Sequence, residues 1–362
     1  LLFLTIFLCS YLTVFSQDYT ISGYITDESN GEELIGAAVK VKGTTMGAVT
    51  NVYGYYALTL PEGNYEISFD FIGYAEITKS IVLDKSIRMD IKLLESTELI
   101  DEIELTGVKE DENVTNTQMS VMSISSKDIK KMPALLGETD IIRSLVLLPG
   151  ISTVGEVATG FNVRGGNADQ NLILLDEAPV YNSSHLLGLF SVFNSDAIKD
   201  AKLYKGGIPA NYGGRLSSVL DVRQKDGNSK RFSGNGGVGL LSSRLMLEGP
   251  IVKDKVNFLV AGRRSYFDIF FPISNDPAIN QSILFFYDVN AKLSYKINNK
   301  NRLFLSGYFG KDNFGIQDQF SFGWGNATTT LRWNSILNDK LFMNLSTIYN
   351  DYKYNLGTPE DA

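Results

Sequence analysis

One cysteine and one histidine are all that 362 residues provide. That scarcity excludes a disulfide framework and any zinc centre assembled from several Cys and His ligands. Charge is sparse too: Asp, Glu, Lys and Arg make up 20% of the chain, and 33 basic against 41 acidic side chains leave a formal −8. No basic face remains to follow a phosphate backbone, so nucleic acid is not an expected partner. None of G-x-x-x-x-G-K-[ST], G-x-S-x-G or H-E-x-x-H occurs, which removes the usual supports for an ATPase or a hydrolase.

Long apolar runs are also missing. The longest, LLFLTIFLCSYLTVFS at residues 1–16, falls short of the ~20 residues of a spanning helix and reads as a secretory signal with small residues near a cleavage point before Gln17. Lacking an initiating Met and a basic start, residues 1–17 are expected to be an incomplete signal peptide. Lipid attachment at Cys9 is the alternative, disfavoured by bulky Phe7 and Leu8 and by the apolar run continuing past it.

What is present is glycine and aromatics: 33 Gly, 18 Tyr and 21 Phe, a balance that favours strands and turns. Length suggests two or three domain-sized units. Over residues 18–95, short alternating segments such as YTISGYITD, GAAVKVKG, YYALTLPEG and NYEISFDFIGY predict a small β-sandwich. Residues 96–118 are acidic and polar around one strand-capable stretch, and read as a linker able to add to another protein's sheet edge.

Residues 119–229 change character. SSKDIKKMPALL and GETDIIRSLVLLPG predict helices, capped by Ser125 or Ser126 and by Thr139, and NLILLD, AIKDAKLYKG and SSVLDVRQKDG predict strands. The pattern describes an α+β unit. From residue 230 to 362 the strands lengthen, and short polar turns (VKDK, NNKN, NDK) alternate with long aromatic or Gly-rich connections. That asymmetry predicts a transmembrane β-barrel, about seven strands of it. In its best strand Val289, Ala291, Leu293, Tyr295 and Ile297 are expected to face lipid, and Asp288, Asn290, Lys292, Ser294 and Lys296 the lumen. An open membrane sheet is not viable in lipid, so the chain is expected to stop within the barrel.

Each candidate for chemistry has a plainer reading. GNGGVG at residues 234–239 satisfies G-x-G-x-x-G but lacks the strand-turn-helix setting of a dinucleotide site, and fits a barrel strand bordering a plug. His185 stands alone in YNSSHLLGLFS, as a hydrogen-bonded structural residue would. Asp176 and Glu177 are adjacent, so on a strand they point to opposite faces and do not converge as an acid/base pair. Turn or polar-contact roles are expected for them. Arg164 before Gly165 and Gly166 places a permanent charge where backbone can approach closely.

Two resemblances join these pieces. SGYITDESNGEELIGAAVKVKGTTMGAVTNVYGYYALTLPEGNYEISFDFIGY is similar to the carboxypeptidase-regulatory-like domain of Bacteroidetes outer-membrane receptors, departing at Asn51 where Asp is usual. DIIRSLVLLPGI together with VRGG, LLDEAPVYN, YKGG and YGGRLSSVLDV resembles the plug domain of TonB-dependent receptors. The resemblance implies a mainly β, multidomain protein: an Ig-like sandwich, an α+β plug and the first strands of an outer-membrane barrel of roughly 22 strands. It implies no catalysis, cofactor or metal.

As to roles, the resemblance implies that Asp101, Glu102, Ile103, Glu104, Leu105, Thr106 and Gly107 form the TonB box, with Glu104 and Leu105 departing from the usual valines. Arg164, Gly165 and Arg215 would hold the plug to the barrel, with Gly206, Gly207, Gly213 and Gly214 shaping the turns before the last plug strand. Asn167, Asp169 and Gln170 are the plug residues expected to lie nearest a ligand. Implied partners are TonB with its inner-membrane energising complex, outer-membrane lipid and a nutrient. An iron-siderophore or other metal chelate leads, ahead of a glycan or oligopeptide taken with a surface lipoprotein. A binding or signalling receptor without import is the rival class, and a peptidase ranks third.

Overall fold

A computed structural model describes residues 18–96, 120–131, 138–153, 160–316 and 319–357. The signal peptide and the TonB-box segment, residues 101–107, lie outside the described residues. The chain divides into two compact units, the first comprising residues up to 103 together with 336–342 and the second holding 104–335 and 343 onward.

In the first unit β1 (Asp18–Asp27), β4 (Tyr55–Pro61), β7 (Ile87–Arg88) and β8 (Ile91–Leu93) make one sheet. β2 (Ala38–Val41), β3 (Gly47–Val49), β5 (Gly63–Asp70) and β6 (Ile77–Leu83) make the other. Ile21, Val39, Ile67, Phe69 and Leu83 are fully buried between them, as inward positions of a sandwich must be. β1 pairs in parallel with β7 through Ile21 and Ser22, then with β8 from Ile25 on. Gly23 marks the switch: a Cβ there would lie 2.0 Å from the Met89 carbonyl oxygen. Asn51 does the work its position requires, since its Oδ1 accepts from the Tyr53 and Tyr55 amides at 2.9 and 3.1 Å. Asp offers the same acceptor, so the departure is neutral for the turn.

The second unit holds an α+β body and a strand wall. The body's five-stranded sheet runs β13-β12-β17-β16-β9, with only β12 and β17 parallel. These are β9 (Val121–Ser125), β12 (Asn171–Leu175), β13 (Ala178–Pro179), β16 (Ile198–Tyr204) and β17 (Ser218–Gln224). Small pairs β10 (Ile151–Thr153) with β11 (Phe161–Val163), and β14 (Ser184–His185) with β15 (Phe190–Ser191), flank it. Helices α1 (Ser126–Lys131) and α2 (Ile141–Val146) cover it, and Ile129, Ile141, Leu145, Phe193, Leu203 and Leu220 fill the core. Ser125 caps α1 reciprocally with Asp128. The cap of α2 is Asp140, which accepts from the Arg143 amide at 3.1 Å, and not the expected Thr139, whose hydroxyl bonds Ser195. A carboxylate one residue further on outcompetes a hydroxyl for the orphan amides because it also favours the helix dipole.

The wall is a seven-stranded antiparallel sheet in chain order: β18 (Ser233–Val238), β19 (Ser242–Val252), β20 (Val256–Ser265), β21 (Ile283–Lys296), β22 (Asn301–Ile316), β23 (Phe320–Asn338) and β24 (Leu341–Gly357). GNGGVG is therefore strand, with its first five residues in β18. In β21 the ordinary burial rule is inverted: Val289 and Leu293 are 43% and 37% exposed, while Asp288 and Lys292 are 1% and 3% exposed. A soluble sandwich would bury the apolar face. Here the polar face is covered by the α+β body and the apolar one is left for lipid. Among the described residues no helix is long and apolar enough to cross a membrane.

Candidate functional site

The seam between the α+β body and the wall is where charge concentrates. Asp176 and Glu177 form the two-residue connection between β12 and β13, and both have positive φ, +46° and +74°. That pair of dihedrals matches a hairpin turn in which non-glycine residues are strained. The turn presents both carboxylates outward from the sheet's end. Asp176 accepts from the Gln224 amide at 3.1 Å and pairs with Lys292 of the wall at 3.1 Å. Glu177 pairs with Arg223 at 2.9 Å and lies 3.7 Å from Arg332 of the wall. Burial alone would raise the Glu177 carboxyl, but Arg223 and Arg332 outweigh it and hold it at about 2. The two acids thus grip separate cations, which is polar contact and not acid/base chemistry.

Lys292 also reaches Asp226 at 2.8 Å and the Gln224 carbonyl at 2.9 Å. Asn257 and Ser294 of the wall donate to the Asp226 carbonyl at 2.6 and 3.0 Å. Toward the other end of the strands, Arg263 of β20 bridges Glu138 at 2.9 Å, Asp288 at 2.6 Å and the Ser191 carbonyl at 2.7 Å. Arg244 binds Asp196 at 2.8 Å. Apart from Arg263–Asp288, which ties two wall strands together, each of these links joins the body to the wall, and nearly all are buried, where broken pairs are costly.

His185 is the densest node. Its Nδ1 lies 2.5 Å from Asp312 Oδ2, its Nε2 3.2 Å from Asp288 Oδ2, and its ring stacks on Phe286 at 4.3 Å. The Tyr308 hydroxyl approaches Nε2 at 3.2 Å. Gly310 makes room, because a Cβ there would sit 2.2 Å from that hydroxyl and 3.2 Å from the imidazole. Burial would lower the His185 pKa, but Asp312 and Asp288 outweigh it and raise the group above its ordinary value. An imidazolium donates from both nitrogens to the two carboxylates.

A raised folded pKa contributes stability fully present below the unfolded value of ~6.5 and lost as pH climbs through the folded value. The full-length protein is therefore expected to melt at lower temperature as pH rises above neutrality. In His185→Gln, which keeps a hydrogen-bonding side chain but cannot titrate, that slope should flatten. An unchanged slope, read by calorimetry across pH, would remove the histidine from the seam's electrostatics.

The sequence-predicted residues fall elsewhere. Arg164, at φ +50°, turns back over the body: its Nη2 donates to Ser120 Oγ at 2.8 Å, beside Gly206. Among the described residues its expected contact with the wall is not formed. Gly165 has φ +81° and Arg215 is exposed, its guanidinium near the Gly214 carbonyl. Asn167, Asp169 and Gln170 belong to a short 3-10 turn closed by the Asn167 amide donating to Gln170 Oε1 at 3.2 Å. This turn leads into β12 at the end opposite Asp176 and Glu177, away from the charged seam. The wall residues Arg263, Asp312 and Arg332 were not anticipated. Their signal was available as charges at the lumen-facing positions of otherwise alternating strands.

Known proteins resemble the chain along much of its length. Residues 21–105 match the family model described as a CarboxypepD_reg-like domain, and residues 113–219 match the TonB-dependent Receptor Plug Domain. The TonB-dependent receptor SusC of Bacteroides thetaiotaomicron is 28% identical over 240 residues, which is 63% of this chain and 23% of the relative. The TonB-dependent receptor P26 of Formosa agariphila is 29% identical over 57% of this chain and 21% of its own length. The chain thus spans less than a quarter of the length of these curated relatives. The siderophore receptor PirA of Pseudomonas aeruginosa superposes with a TM-score of 0.49 at 16% identity, covering 67% of this chain and 42% of that one.

Proposed function

We propose that this chain, which belongs to the TonB-dependent receptor family, imports a scarce nutrient across the outer membrane by energised displacement of its plug. The family is one of non-enzymatic transporters, so the seam's carboxylates retain the plug and do no chemistry. The observation that carries the reading is the body held by buried ion pairs against a wall whose polar face turns inward and apolar face outward. A plugged membrane barrel accounts for that inversion.

In this reading the sandwich stands in the periplasm and residues 101–107 pair as a strand with the sheet edge of TonB. Domain limits of 18–95, 96–118, 119–229 and 230–362 follow from the same reading. In the same reading Arg164, Gly165 and Arg215 serve to hold the plug to the barrel. The plug resemblance carried by DIIRSLVLLPGI, VRGG, LLDEAPVYN, YKGG and YGGRLSSVLDV puts a ferric siderophore or other metal chelate first as cargo. The relation to SusC supports a second possibility, a glycan or oligopeptide importer with a surface lipoprotein beside it.

Binding to the purified full-length receptor separates the two. Ferric siderophores are expected to be retained at submicromolar concentration and oligosaccharides or peptides are not. Retention of an oligosaccharide or peptide alone would transfer the assignment to the second class.

A further inference from the structure

The outer face of the wall, which the plug does not touch, carries a graded pattern of its own. Register sets Arg264 of β20 opposite Tyr287 of β21, and Tyr287 opposite Lys311 of β22. Their remaining cross-strand neighbours on this face are Ser243 and Gly325, neither of them acidic. Aromatic rings pack around the pair of cations: the Arg264 guanidinium lies 5.4 Å from the Phe285 ring, and Tyr287 lies 6.0 Å from Phe309. One register step nearer the short turns, Gly262 stands between Leu245 and Val289. Gly262, with no side chain of its own, lies in a shallow open groove bordered by Leu245, Leu247, Val260, Tyr287 and Val289.

Height in the membrane follows from the strands. Arg264 and Lys311 lie at the end of the wall where residues 266–282 join β20 to β21, the longest connection between wall strands among the described residues, whereas only short turns join the strands at the other end. Long connections mark the extracellular side. Tyr295 and Trp333 are the aromatic residues nearest the short turns on the outer face of β21 and β23, at 36% and 38% exposure. From Tyr287 to Tyr295 the strand advances roughly 26 Å along its own axis, about 20 Å of height at the tilt of barrel strands and so most of an apolar band ~25 Å tall. Arg264 and Lys311 therefore sit at the boundary of the outer leaflet, where long basic side chains reach for headgroups.

We propose that this face binds one phosphorylated lipid of the outer leaflet, its headgroup phosphate held by Arg264 and Lys311 and an acyl chain lying in the groove over Gly262. Two cations separated by two strand spacings, about 10 Å, bracket a headgroup. They carry no carboxylate opposite them, so their charge is available to an anion. An uncharged lipid would satisfy the groove but not the cations, and a soluble anion would satisfy the cations but not the groove.

The inference rests on the outer-membrane reading above, and the test keeps the two apart. The full-length receptor is placed in phosphatidylcholine nanodiscs doped with phosphorylated lipid A or with its dephosphorylated form, and native mass spectrometry counts the retained lipid. The parent is expected to prefer the phosphorylated form by about tenfold or more, and Arg264→Ala/Lys311→Ala to lose that preference. Gly262→Leu, which fills the groove and leaves the cations, should lower retention of the same lipid. Equal retention of the two forms by the parent, or full preference in the double variant, overturns the proposal. So does displacement of the lipid by millimolar inorganic phosphate. If the outer-membrane reading itself were at fault, the parent would not fractionate with the outer membrane at all.

Discussion

Cells carrying the full-length receptor without residues 101–107 are expected to bind ligand at their surface as the parent does and to import none of it. DEIELTG sits in an acidic, polar linker that lacks the apolar residues to bury two faces of its own. Such a segment gains its structure by adding to a partner's sheet, where backbone hydrogen bonds supply affinity and side chains set register. Deleting it removes the handle and leaves plug, wall and outer loops untouched, so binding and transport should separate completely. Replacing Ile103 and Leu105 with proline removes two backbone donors without shortening the linker, and is expected to have the same effect. Normal uptake in both variants would remove these residues from energy coupling.

The second large effect is expected inside the seam. Arg263→Ala leaves Glu138 and Asp288 without the guanidinium that bridges them at 2.9 and 2.6 Å, and both carboxylates are buried. Breaking a buried pair by removing one partner costs about 3–5 kcal/mol, because the remaining charge stays uncompensated. Tyr308, His185 and the Ser191 carbonyl lie in the same cluster, so the loss should loosen the body from the wall as a unit. The expected readout is a lower melting temperature together with faster proteolysis of the plug in the folded barrel. Removing the acids as well, in Arg263→Met/Asp288→Leu/Glu138→Gln, should recover much of the loss, since a buried ion pair replaced by apolar groups is often close to neutral. A parent-like melt and proteolysis pattern in Arg263→Ala would show that these pairs do not hold the plug.

Much of this architecture could be read from residue patterns. Period-2 alternation located the sandwich strands and the wall, and the polar face of β21 was identified residue by residue, because a lipid-facing strand must segregate its side chains completely. The strands NLILLD, AIKDAKLYKG and SSVLDVRQKDG appear as β12, β16 and β17. Local rules served less well where two residues competed for one role: Asp140 displaced Thr139 as the helix cap. The seam itself was only half legible. That Asp176 and Glu177 make polar contacts followed from strand geometry, but their wall cations, Lys292 and Arg332, are more than a hundred residues away in the chain. Pairing across that distance depends on the register of strands against a separate sheet, which no local pattern encodes. For the same reason His185 looked solitary, although Asp288 and Asp312 enclose it. Arg164 bonds Ser120, 44 residues earlier in the chain, another pairing that no local pattern encodes.

The central claim is that the plug is held in the wall by buried charge and released by work done from the periplasm. Uptake of labelled ligand by whole cells expressing the full-length receptor, with and without a protonophore, tests this most directly. Accumulation that stops when the proton gradient is dissipated, while surface binding persists, is the predicted result. Equal accumulation in energised and de-energised cells would contradict it.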